Sequence, residues 1–216
     1  MTRVTPRSEA ELEAMPEFEE ALALQRSLVG LVPISLLTMA HRPRMAILFA
    51  SLASEVLAPG SVDQPLKQLV AYVASATRGC RYCQAHTAQN AARVGLPLAK
   101  LQSAFEFETS GLFTEAESDA LRLARDAAVL PNAVTDVHFA RLQRWFTHEQ
   151  IVEIVGVVAL FGWLNTWNDT MATTLEDLPR HWAQQNIASS GWSVGRHVHS
   201  PEEDAIAGLA PTTPNK

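Results

Sequence analysis

The chain has 216 residues, of which 47% are hydrophobic and 19% are charged, and its formal net charge is -6. This balance predicts one globular domain with a substantial core and excludes a disordered chain. Because the chain has no run of lysine or arginine, nothing in it would neutralise a phosphate backbone, and we expect no nucleic-acid partner.

The two ends of the chain differ in composition from its middle. Residues 1–15 are polar and are expected to be a flexible N-terminus without the apolar core of a signal peptide. A helical domain is expected over 16–180, followed by a C-terminal extension over 181–216 whose end, from Gly208, should be mobile. No apolar run is long and uninterrupted enough to predict a membrane span, so we expect a cytoplasmic protein with no membrane partner.

The first half of the chain predicts a succession of helices. Apolar residues recur at helical spacing over 17–29, 34–40 and 45–57, and Pro43 suits a first helical position. Gly30 ends the first of these runs, and Pro59 with Gly60 ends the third. Another helix is predicted over 65–77, a cysteine-bearing helix follows Gly79 and ends at Gly95, and a short helix covers 97–105.

Two capping boxes mark helix starts in the second half. Thr114 and Glu117 begin a helix that should run to about Leu130, and a further helix covers 135–145. Thr147 and Gln150 begin the longest helix, which is expected at the centre of the core or at a subunit interface because its apolar residues surround it. No stretch alternates with period two, so the predicted fold class is all-α.

A weak internal repeat is also visible. Residues 68–86 correspond to residues 150–168, so that Gly162, Asn165 and Asn168 occupy the positions of Cys80, Cys83 and His86. This match predicts two degenerate helical repeats within one domain, of which the second lacks the chemistry of the first.

The only two cysteines, Cys80 and Cys83, are three residues apart, and His86 follows one helical turn later. Such a pair at a helix start brings two sulfurs within bonding distance, while free N–H groups and the helix dipole stabilise a thiolate. By this argument Cys80 should be unusually acidic, Arg81 adds a positive charge, and His86 can accept or return a proton. The pattern predicts a dithiol redox site with its own base.

Two other interpretations of the cysteines stay open. A structural zinc ion needs four ligands, so one cysteine pair and His86 would have to borrow from a distant histidine such as His41, His138, His197 or His199. Alternatively, the two cysteines are small hydrophobic residues of the core. The dithiol interpretation requires no metal and no cofactor.

The segment Gln68 to Gly95, with its Gly-Cys-Arg-Tyr-Cys-Gln-Ala-His-Thr core, resembles the active-site region of the alkylhydroperoxidase (AhpD-like) and carboxymuconolactone decarboxylase superfamily, in its peroxidase-related branch. Residues 146–178 and the closing Gly-Trp-x-x-Gly-Arg-His of residues 191–197 are similar to that branch. The resemblance implies an all-helical AhpD-like fold, a homo-oligomer (dimer, trimer or hexamer) and thiol peroxidase activity.

By this likeness Cys83 would attack a hydroperoxide, Cys80 would resolve the sulfenic acid to a disulfide, and His86 would relay the proton. A thiol reductant protein or a small thiol would then restore the dithiol. The alkylhydroperoxidases carry a glutamate where this chain has Gln68, which cannot take a proton. Asp169 and Glu153 are the candidates to replace that carboxylate.

Other residues of the same region are weaker candidates. Tyr82, Trp163 and Trp167 would suit a pocket for an organic hydroperoxide, although aromatic residues at helical spacing are more often core. Asn165 and Asn168 lie on an apolar helix, where a buried amide needs partners, so they either cap a neighbouring helix or contact substrate.

Two further functions remain alternatives to a peroxidase. A helical oligomer could use the same cysteine pair to sense redox state without turnover, because both functions need a reactive thiolate that oxidises to a disulfide. A decarboxylase-like enzyme acting on a small carboxylated ring would need convergent cationic groups, and Arg81 alone is not enough.

Overall fold

The computed structural model describes residues 2–198, which form α-helices and two short 3-10 helices, Pro16–Phe18 and Ala188–Ser190, and no strand. The predicted all-α class is therefore confirmed. The helices are α1 (Glu9–Glu13), α2 (Glu19–Val29), α3 (Ile34–Met39), α4 (Pro43–Leu57), α5 (Gln64–Arg78), α6 (Arg81–Arg93), α7 (Leu98–Gln102), α8 (Glu115–Ala128), α9 (Asp136–Leu142), α10 (His148–Met171) and α11 (Asp177–Asn186).

Local signals place most of these boundaries. Both predicted capping boxes form: Thr114 caps α8 by bonding the N–H of Glu117, and Thr147 caps α10 by bonding the N–H of Gln150. Gly79 ends α5 with a φ of 80°, a left-handed conformation that favours glycine. It turns the chain directly into α6, so the cysteine pair stands at a sharp corner between two packed helices.

The helix pair α5 and α6 forms the centre of the molecule. Every residue of α5 from Leu66 to Ser75 is buried, and so is every residue of α6 from Tyr82 to Ala91. Helices α8 and α10 pack against α5, while α10 and α11 pack against α6. The alanines of α6 have small side chains that let these neighbours approach closely. A smaller second core joins α1 to α4.

Helix α10 is the longest element, with 24 residues and a mean hydropathy of 1.3. By length and composition it could cross a membrane, contrary to the expectation that no run of the chain is long and apolar enough. It packs against α4, α5, α6 and α8, which is how a core helix of a globular domain behaves. Its outer face, with Val152, Val155 and Trp163, stays exposed in the single chain.

The start of the chain is more ordered than its composition suggested. Within the segment 1–15, which was expected to be flexible, Ser8 and Glu11 form a capping box for α1 and Leu12 is fully buried. The Arg3 N–H donates to the carbonyl of Met171 at 2.8 Å. The polar composition did not indicate this order, because a few contacts with distant residues are enough to hold such a segment in place.

The C-terminal part returns to the centre of the molecule. Helix α11 spans the boundary expected at residue 180, and the residues after it reach the start of α6, where the indole N–H of Trp192 donates to the carbonyl of Arg81 at 3.1 Å. The extension is therefore partly built into the domain. Its expected mobile end, residues 208–216, lies outside the described residues.

The structure does not reproduce the predicted repeat. The first copy consists of two helices separated by Gly79, whereas Gly162 lies inside the continuous helix α10. Glycine costs a helix only about 1 kcal/mol, and the packing around α10 offsets that cost.

A candidate dithiol active site

Both cysteines are free thiols at the start of α6, as the spacing predicted. Cys80 is the N-cap residue and Cys83 lies in the first turn. They are 0% and 2% exposed, and Cys83 lies near enough to raise the pKa of the Cys80 thiol. No bond joins the two sulfurs.

The acidity predicted for Cys80 is wrong. The hydrogen bond to Cys83, burial and the nearby negative charges of Cys83 and Asp169 together raise the pKa of the Cys80 thiol far above its usual range. These effects outweigh the helix dipole, because a buried thiol loses the water that would stabilise its anion. Cys80 therefore keeps its proton at neutral pH.

Cys83 borders an apolar cavity enclosed by α2, α4, α6 and α10. The cavity leaves about 60 Å³ for the centres of water-sized molecules, several times the space that one ordered water needs. Cys80 is not among its lining residues, so the two sulfurs are not equivalent. The lining residues are Gln25, Leu28, Val29, Pro33, Ser35, Phe49, Ala53, Leu57, Tyr82, Cys83, His86, Thr87, Asn90, Phe161, Leu164 and Asn168.

His86 lines the same cavity and is held by a carboxylate. Its Nε2 lies 2.7 Å from one oxygen of Glu176, whose other oxygen accepts from the Tyr82 hydroxyl at 2.7 Å and from the Ile34 N–H at 2.5 Å. Burial opposes the ionised form of Glu176, but the charge and hydrogen bond of His86, helped by Ile34 and Tyr82, lower its pKa below the ordinary value. Glu176 is therefore a buried anion that holds the ring of His86 at the cavity that Cys83 also lines.

The carboxylate beside His86 is neither of the two that the sequence suggested as replacements for the family glutamate. Glu153 forms an ion pair with Lys67 at 2.6 Å, and Asp169 pairs with His197 instead. Gln68, at the position of the family glutamate, is buried with its side-chain oxygen unpaired among the described residues, and it does not line the cavity. No motif or helical spacing marked Glu176, which follows the end of α10 in an irregular segment.

The remaining candidates divide between the site and the core. Tyr82 lines the cavity, and its hydroxyl donates to Glu176. Trp163 and Trp167 stack on each other with ring centroids 5.3 Å apart and do not line the cavity. Arg81 donates to Gln84 at 3.3 Å and to the carbonyl of Gly191 at 3.4 Å, so it ties the C-terminal segment to α6.

The two asparagines of α10 lie on the buried side of that helix. Asn168 donates from its Nδ2 to the sulfur of Cys83 at 3.4 Å, and its own oxygen has no protein partner in the described range. A hydrogen bond to a sulfur stabilises its anionic form. Asn165 is buried without a side-chain partner in the described range.

A second histidine lies on the other side of the pair, next to Cys80. The sulfur of Cys80, a ring nitrogen of His197 and an oxygen of Asp169 all lie within 4.8 Å of one another. His197 Nδ1 lies 2.7 Å from the carbonyl oxygen of Thr173, and Nε2 lies 3.2 Å from Asp169. Sequence reasoning named His197 only as a distant zinc ligand and Asp169 only as a substitute carboxylate.

The Cys80, Asp169 and His197 cluster fits a proton better than a metal ion. A metal needs a neutral histidine with a free lone pair, whereas both ring nitrogens of His197 face oxygen acceptors. Zinc sites also use four ligands, and this cluster offers three among residues 2–198. The arrangement therefore favours the dithiol interpretation of the cysteines over the zinc one.

The all-helical frame, with a buried cysteine pair at the start of its central helix, is an AhpD-like helical fold. Residues 43–126 match the Carboxymuconolactone decarboxylase family, and this range contains Cys80, Cys83 and His86. The chain belongs to this family of enzymes, and the resemblance stated from its sequence is confirmed. None of the curated proteins matches the chain.

Solved structures with the same fold come from two groups. The debrominase Bmp8 is 31% identical in its apo form, with a TM-score of 0.78 over 86% of this chain and 98% of that chain. A cysteine-to-alanine variant of Bmp8 in complex with 2,3,4-tribromopyrrole has a TM-score of 0.79 at 31% identity, over 86% and 97% of the two chains. An uncharacterized peroxidase-related protein with an AhpD core from Ralstonia eutropha JMP134 is 18% identical, with a TM-score of 0.69 over 82% and 94%.

Proposed function

We propose that the protein is a dithiol-dependent reductase that reduces a small organic hydroperoxide at Cys83. One observation carries this proposal: Cys83 borders the apolar cavity together with His86, while Cys80 lies outside the lining but near Cys83. A peroxidatic thiol needs access to substrate, a proton donor within reach and a second thiol that closes the disulfide.

The cavity suits a small, mostly apolar substrate with a polar end. Most of its lining is hydrophobic, and ligand sites of this type orient their ligand with a few polar groups. Two such groups, the Nε2 of Gln25 and the Oδ1 of Asn168, are buried and have no hydrogen-bond partner in the described part of the chain. A hydroperoxide group can accept a hydrogen bond from Gln25 and donate one to Asn168.

The reaction divides into two balanced steps. The Cys83 thiolate attacks the terminal oxygen of the hydroperoxide, the O–O bond breaks, and the alcohol leaves with a proton from His86. Cys80 then attacks the sulfur of the resulting sulfenic acid, which forms the disulfide and releases water. An external thiol, from a reductant protein or a small thiol, returns two electrons by thiol–disulfide exchange.

Reductive dehalogenation is a second candidate, favoured by the likeness to a debrominase at 31% identity over nearly the whole of that chain. The same residues can perform it. Two thiols and a carbon–bromine bond yield a disulfide, bromide and a carbon–hydrogen bond, with the sulfur of Cys83 taking the bromine and His86 supplying the proton. The apolar cavity suits a small halogenated ring as well as it suits an organic hydroperoxide.

A decarboxylase acting on a carboxylated ring has less support. Among the described residues that line the cavity none is lysine or arginine, and His86 is already paired with Glu176. A carboxylate bound there would lack a cationic partner, and burying an unpaired charge is costly.

Stopped-flow oxidation of the reduced protein separates these functions. Cumene hydroperoxide and a tribrominated pyrrole are mixed separately with the protein, and free thiols are counted before and after. We expect the loss of two thiols per chain and repeated turnover when dithiothreitol is present. Thiol loss with the pyrrole alone, accompanied by bromide release, would favour the dehalogenase. A single oxidation of the dithiol without turnover would favour the redox sensor. If neither compound consumes thiols, the proposal is wrong.

The two single-cysteine variants are matched controls for each other. Cys83→Ser should abolish oxidation by the substrate, because the sulfur at the cavity is lost. Cys80→Ser should still form a sulfenic acid that dimedone traps, because the attacking sulfur remains. The opposite result would reverse the assigned roles.

A further inference from the structure

Each sulfur of the dithiol has its own histidine and carboxylate. His86 and Glu176 stand at the cavity, on the side of Cys83, whereas His197 and Asp169 stand at Cys80. The proposed function uses only the first histidine. In the second pair, His197 lies in the segment after α11 and Asp169 lies in α10, so the fold brings both to Cys80 from outside α6.

The contacts of His197 define its protonation. Nδ1 faces the carbonyl oxygen of Thr173 at 2.7 Å, and Nε2 faces the carboxylate of Asp169 at 3.2 Å. A carbonyl and a carboxylate can only accept, so both nitrogens must donate, and a ring that donates twice is an imidazolium. Burial opposes this charge, but Asp169, Cys80 and Thr173 overcome it and raise the pKa of His197 to about 9.

The imidazolium is fixed in place. The ring of His197 is almost fully buried, its backbone N–H donates to Val194 at 3.2 Å, and its carbonyl accepts from Leu175 at 2.8 Å. The segment that carries it is tied to α6 through Trp192. A positive charge held this firmly beside a sulfur favours the thiolate of that sulfur.

In the reduced protein the effect of His197 on Cys80 is masked. The hydrogen bond from Cys80 to Cys83 is the largest cause that raises the pKa of the Cys80 thiol, and the hydrogen bond with His197 lowers it. Oxidation converts the Cys83 thiol to a sulfenic acid and so removes the partner that raises the pKa of Cys80 most. His197 then remains as the main electrostatic partner of Cys80.

We propose that His197, held as a cation by Asp169 and Thr173, activates Cys80 as the resolving thiolate only after Cys83 has been oxidised. The inference rests on the dithiol chemistry of the proposed function. In the resolving step the proton of the Cys80 thiol passes to the departing hydroxyl group of the Cys83 sulfenic acid while thiolate character develops on Cys80 beside His197, and the S–S bond forms as water leaves. In the reducing step an external thiolate attacks Cys83, and Cys80 leaves as a thiolate beside His197.

Few other charged groups of the described residues face this pair. Helix α6 presents Cys83 and Tyr82, whose ring centroid lies 5.8 Å from that of His197, and α10 presents Asp169. Arg81 approaches the C-terminal segment at Gly195 with its aliphatic stem, and its guanidinium binds the carbonyl of Gly191. His197 is therefore the cation nearest to Cys80 among these groups.

The first experiment measures the Cys80 thiol without any substrate. In a Cys83→Ser background, thiolate absorbance near 240 nm is followed against pH, with and without His197→Gln. Loss of the cation should raise the pKa of Cys80 by about one unit or more, since an opposite charge within a few ångströms shifts a pKa by roughly one to three units. His181→Gln, on the exposed side of α11, is the matched control and should change nothing.

The second experiment follows one turnover with cumene hydroperoxide. His197→Gln should oxidise Cys83 at the wild-type rate, accumulate a sulfenic acid that dimedone traps, and form the disulfide about tenfold more slowly. Asp169→Asn keeps the histidine but removes its carboxylate partner, and it also removes an anion that raises the pKa of Cys80. It should therefore slow disulfide formation less than His197→Gln does, and the melting temperatures of both variants reveal any folding defect.

The outcomes separate this inference from the proposed function. If the wild type does not react with the hydroperoxide, the peroxidase is refuted while the absorbance titration still decides the role of His197. If both variants leave the pKa of Cys80 and the rate of disulfide formation unchanged, the role of His197 is refuted. A merely structural histidine would lower the melting temperature without accumulation of sulfenic acid.

Discussion

The substitution Glu176→Gln tests the anion that orients His86. The carboxylate accepts three hydrogen bonds, from the Ile34 N–H at 2.5 Å, the Tyr82 hydroxyl at 2.7 Å and His86 at 2.7 Å. Glutamine has nearly the same shape but only one accepting oxygen. Its amide N–H groups would face Nε2 of His86, so a doubly protonated His86 would lose its acceptor.

The size of the effect follows from these contacts. Hydrogen bonds to a charged group contribute roughly 1.5–3 kcal/mol each, and glutamine loses at least one, so we expect unfolding to be easier by about 2 kcal/mol at neutral pH. Loss of the carboxylate also removes the acceptor that holds the His86 ring in place. Because His86 supplies the proton to the leaving group, oxidation of Cys83 should slow by about tenfold to a hundredfold.

The substitution also removes a pH dependence. The pKa of Glu176 is lowered in the folded protein, so its stabilisation is fully present above the ordinary value of 4.5 and is lost as the pH falls through the folded value. The stability difference between wild type and Glu176→Gln should therefore shrink on acidification below that value. Urea unfolding at several pH values measures this difference, and stopped-flow oxidation measures the rate.

The neighbouring Asp177→Asn is the matched control. It removes the same charge one residue later, but the side chain of Asp177 is 81% exposed and pairs only with Arg180. It should leave both the urea midpoint and the oxidation rate unchanged. If Glu176→Gln behaves like Asp177→Asn, the carboxylate does not hold His86 for catalysis and the reasoning fails.

Three further predictions concern stability and assembly. The pKa of Glu153 is lowered to about 2, because Lys67 and Ser61 outweigh its burial. The melting temperature of the wild type should therefore exceed that of Glu153→Gln by its full amount above pH 4.5, and this difference should vanish as the pH falls toward 2. A difference that stays constant with pH would contradict this. Leu12→Ala should lower the free energy of unfolding in urea by about 3 kcal/mol, because removal of a fully buried leucine leaves a cavity. A change near zero would support the flexible N-terminus that the sequence predicted. Finally, the exposed apolar faces of α4 and α10 predict a homo-oligomer by sedimentation at micromolar concentration, whereas a monomer would refute that assembly.

Local interactions explain what the sequence determined by itself. The capping boxes at Thr114 and Thr147, the turn at Gly79 and the placement of Cys80 and Cys83 at one helix start depend on groups within a few residues of one another. Hydrogen bonds and steric limits over so short a distance can be recognised from spacing alone. The all-α class followed from the same local patterns, whereas the family was indicated by the resemblance of residues 68–95 to its active-site region.

Only the tertiary structure decided how the two sulfurs differ. The groups that surround them, Glu176 at His86 and the pair of Asp169 and His197 at Cys80, lie 89 to 117 residues away along the chain, where no spacing rule links them to α6. The interaction with Cys83 and burial also reversed the acidity expected for Cys80. Desolvation and contacts between distant segments depend on which surfaces meet in the fold, and that cannot be read from the order of residues along the chain.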